Sequence, residues 1–172
     1  MALRPDRVTV NEDIGFFNND TSSALNSSQA ERGGIVSIST AGSGAAMDQS
    51  EAVVTYAATP SGAKVLGVLM NDVVNKDLTQ THLNFYKSEV QTGGKCTVLT
   101  QGTVVTNWIY PGQTPTVGAP AYVAHSGYLA STDVVAGWKP DSRAIGRFLS
   151  IKDENGYAKV AINVPAINNA LS

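Results

Sequence analysis

The chain is poor in charge: Asp, Glu, Lys and Arg together make up 15% of its 172 residues, against roughly 25% in ordinary soluble domains. The net charge is −2, and the basic residues form neither a stripe nor a cluster. Phosphate binding needs concentrated positive charge, so nucleic acid is not expected as a partner. A membrane surface is not expected either, for the same reason. No window holds the roughly 18 apolar residues that a spanning helix needs. The opening Met1-Ala2-Leu3-Arg4-Pro5-Asp6 lacks the apolar stretch of a secretory signal, so synthesis in a cytoplasm is the expectation.

Cysteine and histidine are almost missing. The single cysteine, Cys96, excludes an intrachain disulfide framework and reads as a small buried hydrophobe. His82 and His125 stand far apart, with no companion at metal-ligand spacing. His125 precedes Ser126-Gly127, but no Gly-x-Ser-x-Gly elbow accompanies it, and a polar turn is the simpler reading. Gly42-Ser43-Gly44 lacks the third glycine and the Lys-Ser/Thr of a phosphate loop. Asp153-Glu154-Asn155-Gly156 lacks the ligand spacing of a calcium loop and reads as a hairpin turn. Neither a metal nor an organic cofactor is expected, and no catalytic residue can be named.

What is present is strand grammar. Short runs rich in Val, Ile, Thr and Tyr are separated by Gly and Pro. They are Ile35–Ser39, Ala52–Tyr56, Lys64–Leu69, Leu83–Tyr86, Lys95–Leu99, Val104–Thr106, Trp108–Tyr110, Ala119–Leu129 and the pair Ala144–Ile151 and Tyr157–Val164. The unbroken apolar run Val65-Leu66-Gly67-Val68-Leu69 points to burial on both faces. Gln101-Gly102 reads as a two-residue hairpin loop, and Asn71–Gln80 as an irregular excursion. In the last run Val160, Ile162 and Val164 share one face, with Lys159, Ala161 and Asn163 on the other. Eight or nine such strands without a long helix define an all-β fold, a compact barrel or sandwich.

The first 32 residues differ. Asn18 to Gln29 is almost entirely Asn, Asp, Ser and Thr, too polar to fold alone. Ahead of it lie Val8, Val10, Ile14, Phe16 and Phe17, five large apolar residues within ten positions. Left exposed they are an aggregation liability, so residues 1–32 read as an extended docking arm attached to a β-domain over 33–172. Val8-Thr9-Val10 suits strand addition to a sheet edge, and Phe16-Phe17 suits an aromatic anchor.

From Lys64 to Val164 the order of motifs resembles that of bacteriophage head decoration, or cement, proteins. The resemblance is carried by Gly67-Val68-Leu69, by the Gly-rich stretch from Thr97 to Val105, and by Gly118-Ala119-Pro120-Ala121-Tyr122-Val123 with Ser126-Gly127-Tyr128-Leu129. Ala144-Ile145-Gly146-Arg147-Phe148-Leu149 and the Gly156-Tyr157 hairpin complete it. It implies a non-enzymatic virion protein on the outside of an assembled head, partnered by the major capsid protein and assembled as a homotrimer. Independently, a surface of short uncharged side chains loses little rotamer entropy when covered. The alternative is a small ligand- or receptor-binding β-module of a phage tail or similar particle. Tyr110, Tyr122, Tyr128, Trp108 and Trp138 could form a sugar-stacking surface, but with so few per strand, core and rim packing is the simpler reading.

Overall fold

A computed structural model of the chain describes residues 9–17, 30–38, 52–56, 63–74, 89–91, 94–132 and 144–164. The fold is all-β, as expected. Eleven strands are described: β1 (Thr9–Phe17), β2 (Ile35–Ile38), β3 (Ala52–Thr55), β4 (Val65–Leu69), β5 (Asp72–Val74), β6 (Glu89–Gln91), β7 (Lys95–Thr106), β8 (Pro120–Val123), β9 (Leu129–Ala130), β10 (Ala144–Phe148) and β11 (Ala158–Asn163). Nine of them form one sheet in the order β1-β3-β2-β4-β7-β11-β10-β8-β9, and β5 and β6 form a separate parallel pair. Leu83–Tyr86 lies outside the described residues.

The sheet curls onto itself twice, both times through β7. β1 pairs with β3 and also with β7, which closes the ring β1-β3-β2-β4-β7. On the other side, β11, β10, β8 and β9 curl back until Leu129 of β9 bridges Ile109, just beyond β7. Two hydrogen bonds hold that seam, Leu129 N–H to Trp108 O (2.9 Å) and Tyr110 N–H to Leu129 O (2.8 Å).

β7 corrects one expectation. Gln101-Gly102 is not a hairpin loop but the middle of a continuous 12-residue strand. Both edges of the chain are occupied there: Gly102 faces Ile162 of β11 on one side and Val10 of β1 on the other. Ladders on two sides carry the strand through a glycine that would otherwise favour a turn. The Asn71–Gln80 reading also changes, because Asp72–Val74 is a short strand paired with Glu89–Gln91.

Burial on both faces explains the unbroken apolar runs. Ile35, Val68 and Leu99 point into one core, while their chain neighbours Val36, Leu69 and Val98 point into the other. Strands in that middle layer have no solvent face and therefore no alternation. The first core continues through Val104, Phe148, Val160 and Ile162. The second gathers Val54, Tyr56 and Cys96, so Cys96 is the buried hydrophobe the sequence suggested. Farther out, β11 has a solvent side, and the expected alternation holds: Val160 and Ile162 are buried, Lys159 and Asn163 exposed.

Candidate functional site

Among the described residues four large apolar side chains are exposed; Ile38 lies on β2, and the other three fall at one end of the second curl. Gly118 N–H donates to Phe148 O and Phe148 N–H to Ala119 O, each at 2.8 Å. This seam lays the loop before β8 along the end of β10, which brings the chain at Val117 beside Leu149. Val117 is 68% exposed, Ile151 64% and Leu149 42%. Few large hydrophobic residues are exposed among the described ones, and three fall on these two adjoining loops. Residues 111–120 contain no ionisable side chain.

Both loops are held in place before anything binds. In the first, Pro111 and Pro115 restrict φ, with Pro115 buried. Gln113 N–H donates to Tyr110 O and Ala119 N–H to Thr116 O, both at 3.1 Å. The Gln113 side-chain oxygen accepts from Ser131 Oγ (3.0 Å) and Thr132 Oγ1 (3.3 Å). In the second, Asp153 Oδ1 accepts from the N–H groups of Asn155 (2.9 Å) and Tyr157 (2.8 Å). Ser150 Oγ accepts from Lys159 N–H at 2.8 Å and donates to Ile151 O at 2.9 Å. Loops already ordered give up little entropy on contact, so their apolar area counts more fully toward affinity. The same bonds assign Asp153 to a hairpin turn, its carboxylate satisfied by backbone donors.

The candidate docking residues Val10, Ile14, Phe16 and Phe17 lie on β1, and Val8 lies outside the described residues. Val10 stands opposite Gly102 and Ile14 opposite Thr97 of β7. Phe16 stands between Lys95 of β7 and Val53 of β3, and Phe17 opposite Val54. The described residues on either side of position 32 thus share one sheet.

The aromatic residues make a stack rather than an open platform. Trp108 lies between Tyr56, at 5.9 Å between ring centroids and 22°, and Tyr128, at 4.8 Å and 6°. Tyr110 meets Tyr128 edge-on at 6.0 Å. Trp108 is engaged by two neighbouring rings, which makes it a packing residue rather than part of an open platform. Tyr56 is buried, and its hydroxyl donates to the Glu31 carbonyl. Burial raises its pKa well above the ordinary tyrosine value, and the nearby charges of Asp72 and Glu31 push the same way. Trp138 lies outside the described residues.

His125 and Ser126 meet, but within a single 3-10 turn over His125–Gly127. Ser126 Oγ is 2.5 Å from His125 Nδ1, and Ser126 is 3% exposed with a positive φ of 56°. A hydroxyl enclosed in that way cannot reach a substrate carbonyl; it bonds within its own turn, which lies against β2 at Gly127 and Ile35. His82 lies outside the described residues. Among the described residues no three His, Cys, Asp or Glu side chains are grouped to hold a metal, and no helix is long and apolar enough to cross a membrane.

Sequence reading did not single out Val117, Leu149 and Ile151. The available signals were a valine inside an uncharged Pro/Gly loop and an apolar i, i+2 pair running past the end of a strand.

A two-curl β-fold with ordered loops that carry exposed apolar side chains at one end has the form of a structural module that works by contact. The chain belongs to the structural cement protein family of phages: the model of that family, described as "Structural cement protein (E217 gp24/Pam3 gp6)", matches residues 6–163. Searches of curated proteins and of solved structures returned no match. The match spans nearly the whole chain, from ahead of β1 to the end of β11, so the N-terminal segment is part of the family pattern.

Proposed function

We propose that this protein is a head decoration protein that binds the outer surface of the assembled capsid and stabilises it. The observation that carries the reading is the cement-family match over residues 6–163. Its partner is the major capsid protein; it needs no cofactor, performs no catalysis, is made in the host cytoplasm and acts as a homotrimer. The apolar end at Val117, Leu149 and Ile151 supports this role as a preformed contact surface. The N-terminal segment 1–32, with Val8, Val10, Ile14, Phe16 and Phe17, acts as the docking arm between subunits or onto the shell.

The test is binding of the purified protein to emptied capsids stripped of decoration, beside a glycan array. Saturable binding near a fixed ratio to the major capsid protein, with a raised capsid disruption temperature, is expected. Absence of capsid binding together with a specific glycan hit would replace this reading with the receptor-binding one. Mass photometry of the free protein checks the trimer, and a monomer or dimer would remove that element alone.

A further inference from the structure

We propose that the slot between β3 and β7, which β1 fills, also accepts residues 9–17 of a second copy, so that subunits held side by side exchange first strands. The proposal rests on the cement reading above and assigns its arm a specific acceptor.

The geometry of β1 motivates it. β1 lies antiparallel to β7 from Thr9↔Thr103 to Phe16↔Lys95, and parallel to β3 from Gly15↔Ala52 to Phe17↔Val54. Without β1 the five-strand ring opens, and β3 and β7 each present an unpaired edge. Such edges are templates for another strand. What fills them is recognised mainly through backbone hydrogen bonds, the basis of affinity in strand complementation. Every contact that β1 makes in its own slot is available in the slot of an identical copy, so exchange costs little in contact energy.

The tether decides which slot is used. Residues 18–29, twelve in number, join β1 to Ala30, and all but Ala24 and Leu25 are polar. Twelve residues reach about 40 Å when extended. By its length alone, a link of twelve residues gives the chain's own strand an effective concentration in the millimolar range. At micromolar protein each copy therefore closes its own ring. On a shell, copies anchored within tether reach compete at similar local concentration, and strands cross between them. Decoration would then link neighbouring subunits without a new interface.

The single cysteine provides the test. Cys96 of β7 stands directly opposite Gly15 of β1, and opposite residues of an antiparallel pair are close enough to bridge with modest adjustment. A donor carrying Gly15→Cys and Cys96→Ser is mixed with a size-tagged but otherwise unaltered acceptor that keeps Cys96. Neither can link its own strand to its own β7. The mixture is bound to emptied capsids, oxidised and run on a non-reducing gel. A donor–acceptor product at least tenfold above that from dilute solution is expected. Bound protein that yields no such product, while Gly15→Cys alone gives the intrachain link, overturns the proposal. If Gly15→Cys does not fold, Ile14→Cys as donor and Thr97→Cys as acceptor, both in Cys96→Ser, use the adjacent register pair. If no variant binds capsids, the cement reading fails by itself. Co-refolding donor and acceptor at millimolar concentration then decides exchange, a donor–acceptor product supporting it and its absence overturning it.

Discussion

Gly67→Ala should destabilise the protein by about 2–3 kcal/mol, the range of small-to-large changes in a packed interior. The opposite sign follows from backbone entropy alone, because replacing a strand glycine by alanine ordinarily gains roughly 0.5–1 kcal/mol. Gly67 lies in β4, which pairs edge to edge with β7. A Cβ there would fall 2.2 Å from the Leu99 carbonyl oxygen, 2.8 Å from its carbon and 2.9 Å from Val98 Cγ1. The first two are main-chain atoms of a strand that β1 pins from its other edge, so β7 cannot retreat. Restoring ordinary contact means moving β4 out by about 1 Å. That loosens the Val68↔Leu99 and Leu69↔Val98 pairs, whose hydrogen bonds contribute about 1 kcal/mol each. It also opens the packing of Val68, Leu69 and Leu99, all fully buried. Urea unfolding followed by tryptophan fluorescence reads the change. Gly112→Ala serves as a control: nothing lies within 4 Å of its Cβ position, but its φ is +82°, so it should lose about 1–2 kcal/mol from conformation alone. A Gly67→Ala protein as stable as the unaltered one would refute the close approach of β4 to β7.

Ile162→Asp, which places a charge in the first core, should cost several kcal/mol, while Lys159→Asp on the exposed side of the same strand stays within about 0.5 kcal/mol; equal losses in thermal melts would refute the register of β11. Ile151→Lys should likewise leave stability within about 0.5 kcal/mol yet weaken capsid binding at least tenfold, read by co-sedimentation. Arg32 is 7% exposed and its Nε has no hydrogen-bond partner, so Arg32→Met should be neutral or stabilising by about 1 kcal/mol in the same urea assay. Because the Tyr56 pKa is raised by burial, its contribution is complete below the unfolded tyrosine value of about 10 and falls as pH climbs above it towards the folded value. Unfolding measured from pH 9 to 11 should show a decline that is reduced in Tyr56→Phe.

The parts of the fold legible in the sequence are those where one strand face meets water. Val160 and Ile162 alternate with Lys159 and Asn163 because β11 has an inside and an outside, and the turn at Asp153–Gly156 is made of residues that bond their own backbone. Where the sheet is covered on both sides the pattern marks burial but not pairing. Nothing in Thr97–Val105 distinguishes a hairpin at Gly102 from a strand flanked by β1 and β11, since the deciding partners are about 90 and 60 positions away in sequence. β5 and β6 were illegible for a different reason: three-residue strands carry too little periodicity. As for the site, the apolar residues of β1 stood out against the polar tract that follows. Val117, Leu149 and Ile151 did not, because exposure depends on the Gly118–Phe148 seam, which only the folded chain creates.

A cement subunit must add strength without distorting a shell that is already complete, and the arrangement suits that demand. The proposed contact end is two loops that internal hydrogen bonds already order, through Gln113, Ala119, Ser150 and Asp153, so covering them costs little further ordering. With no ionisable group in residues 111–120, that loop brings no charge of its own to desolvate, and its contribution to attachment should be only weakly sensitive to salt. Three apolar side chains supply little affinity by themselves, about 1.5–3 kcal/mol each if fully covered, less the cost of association. One such end is therefore a weak anchor. Strength must come from several ends engaging together, as in an oligomer or a strand-linked neighbourhood, where each further contact forms at high effective concentration. On this reasoning Ile151→Lys weakens an isolated contact modestly but attachment to the shell steeply, because the loss is repeated in every linked subunit. A decline on capsids no greater than that of the single contact would mean that the subunits bind independently.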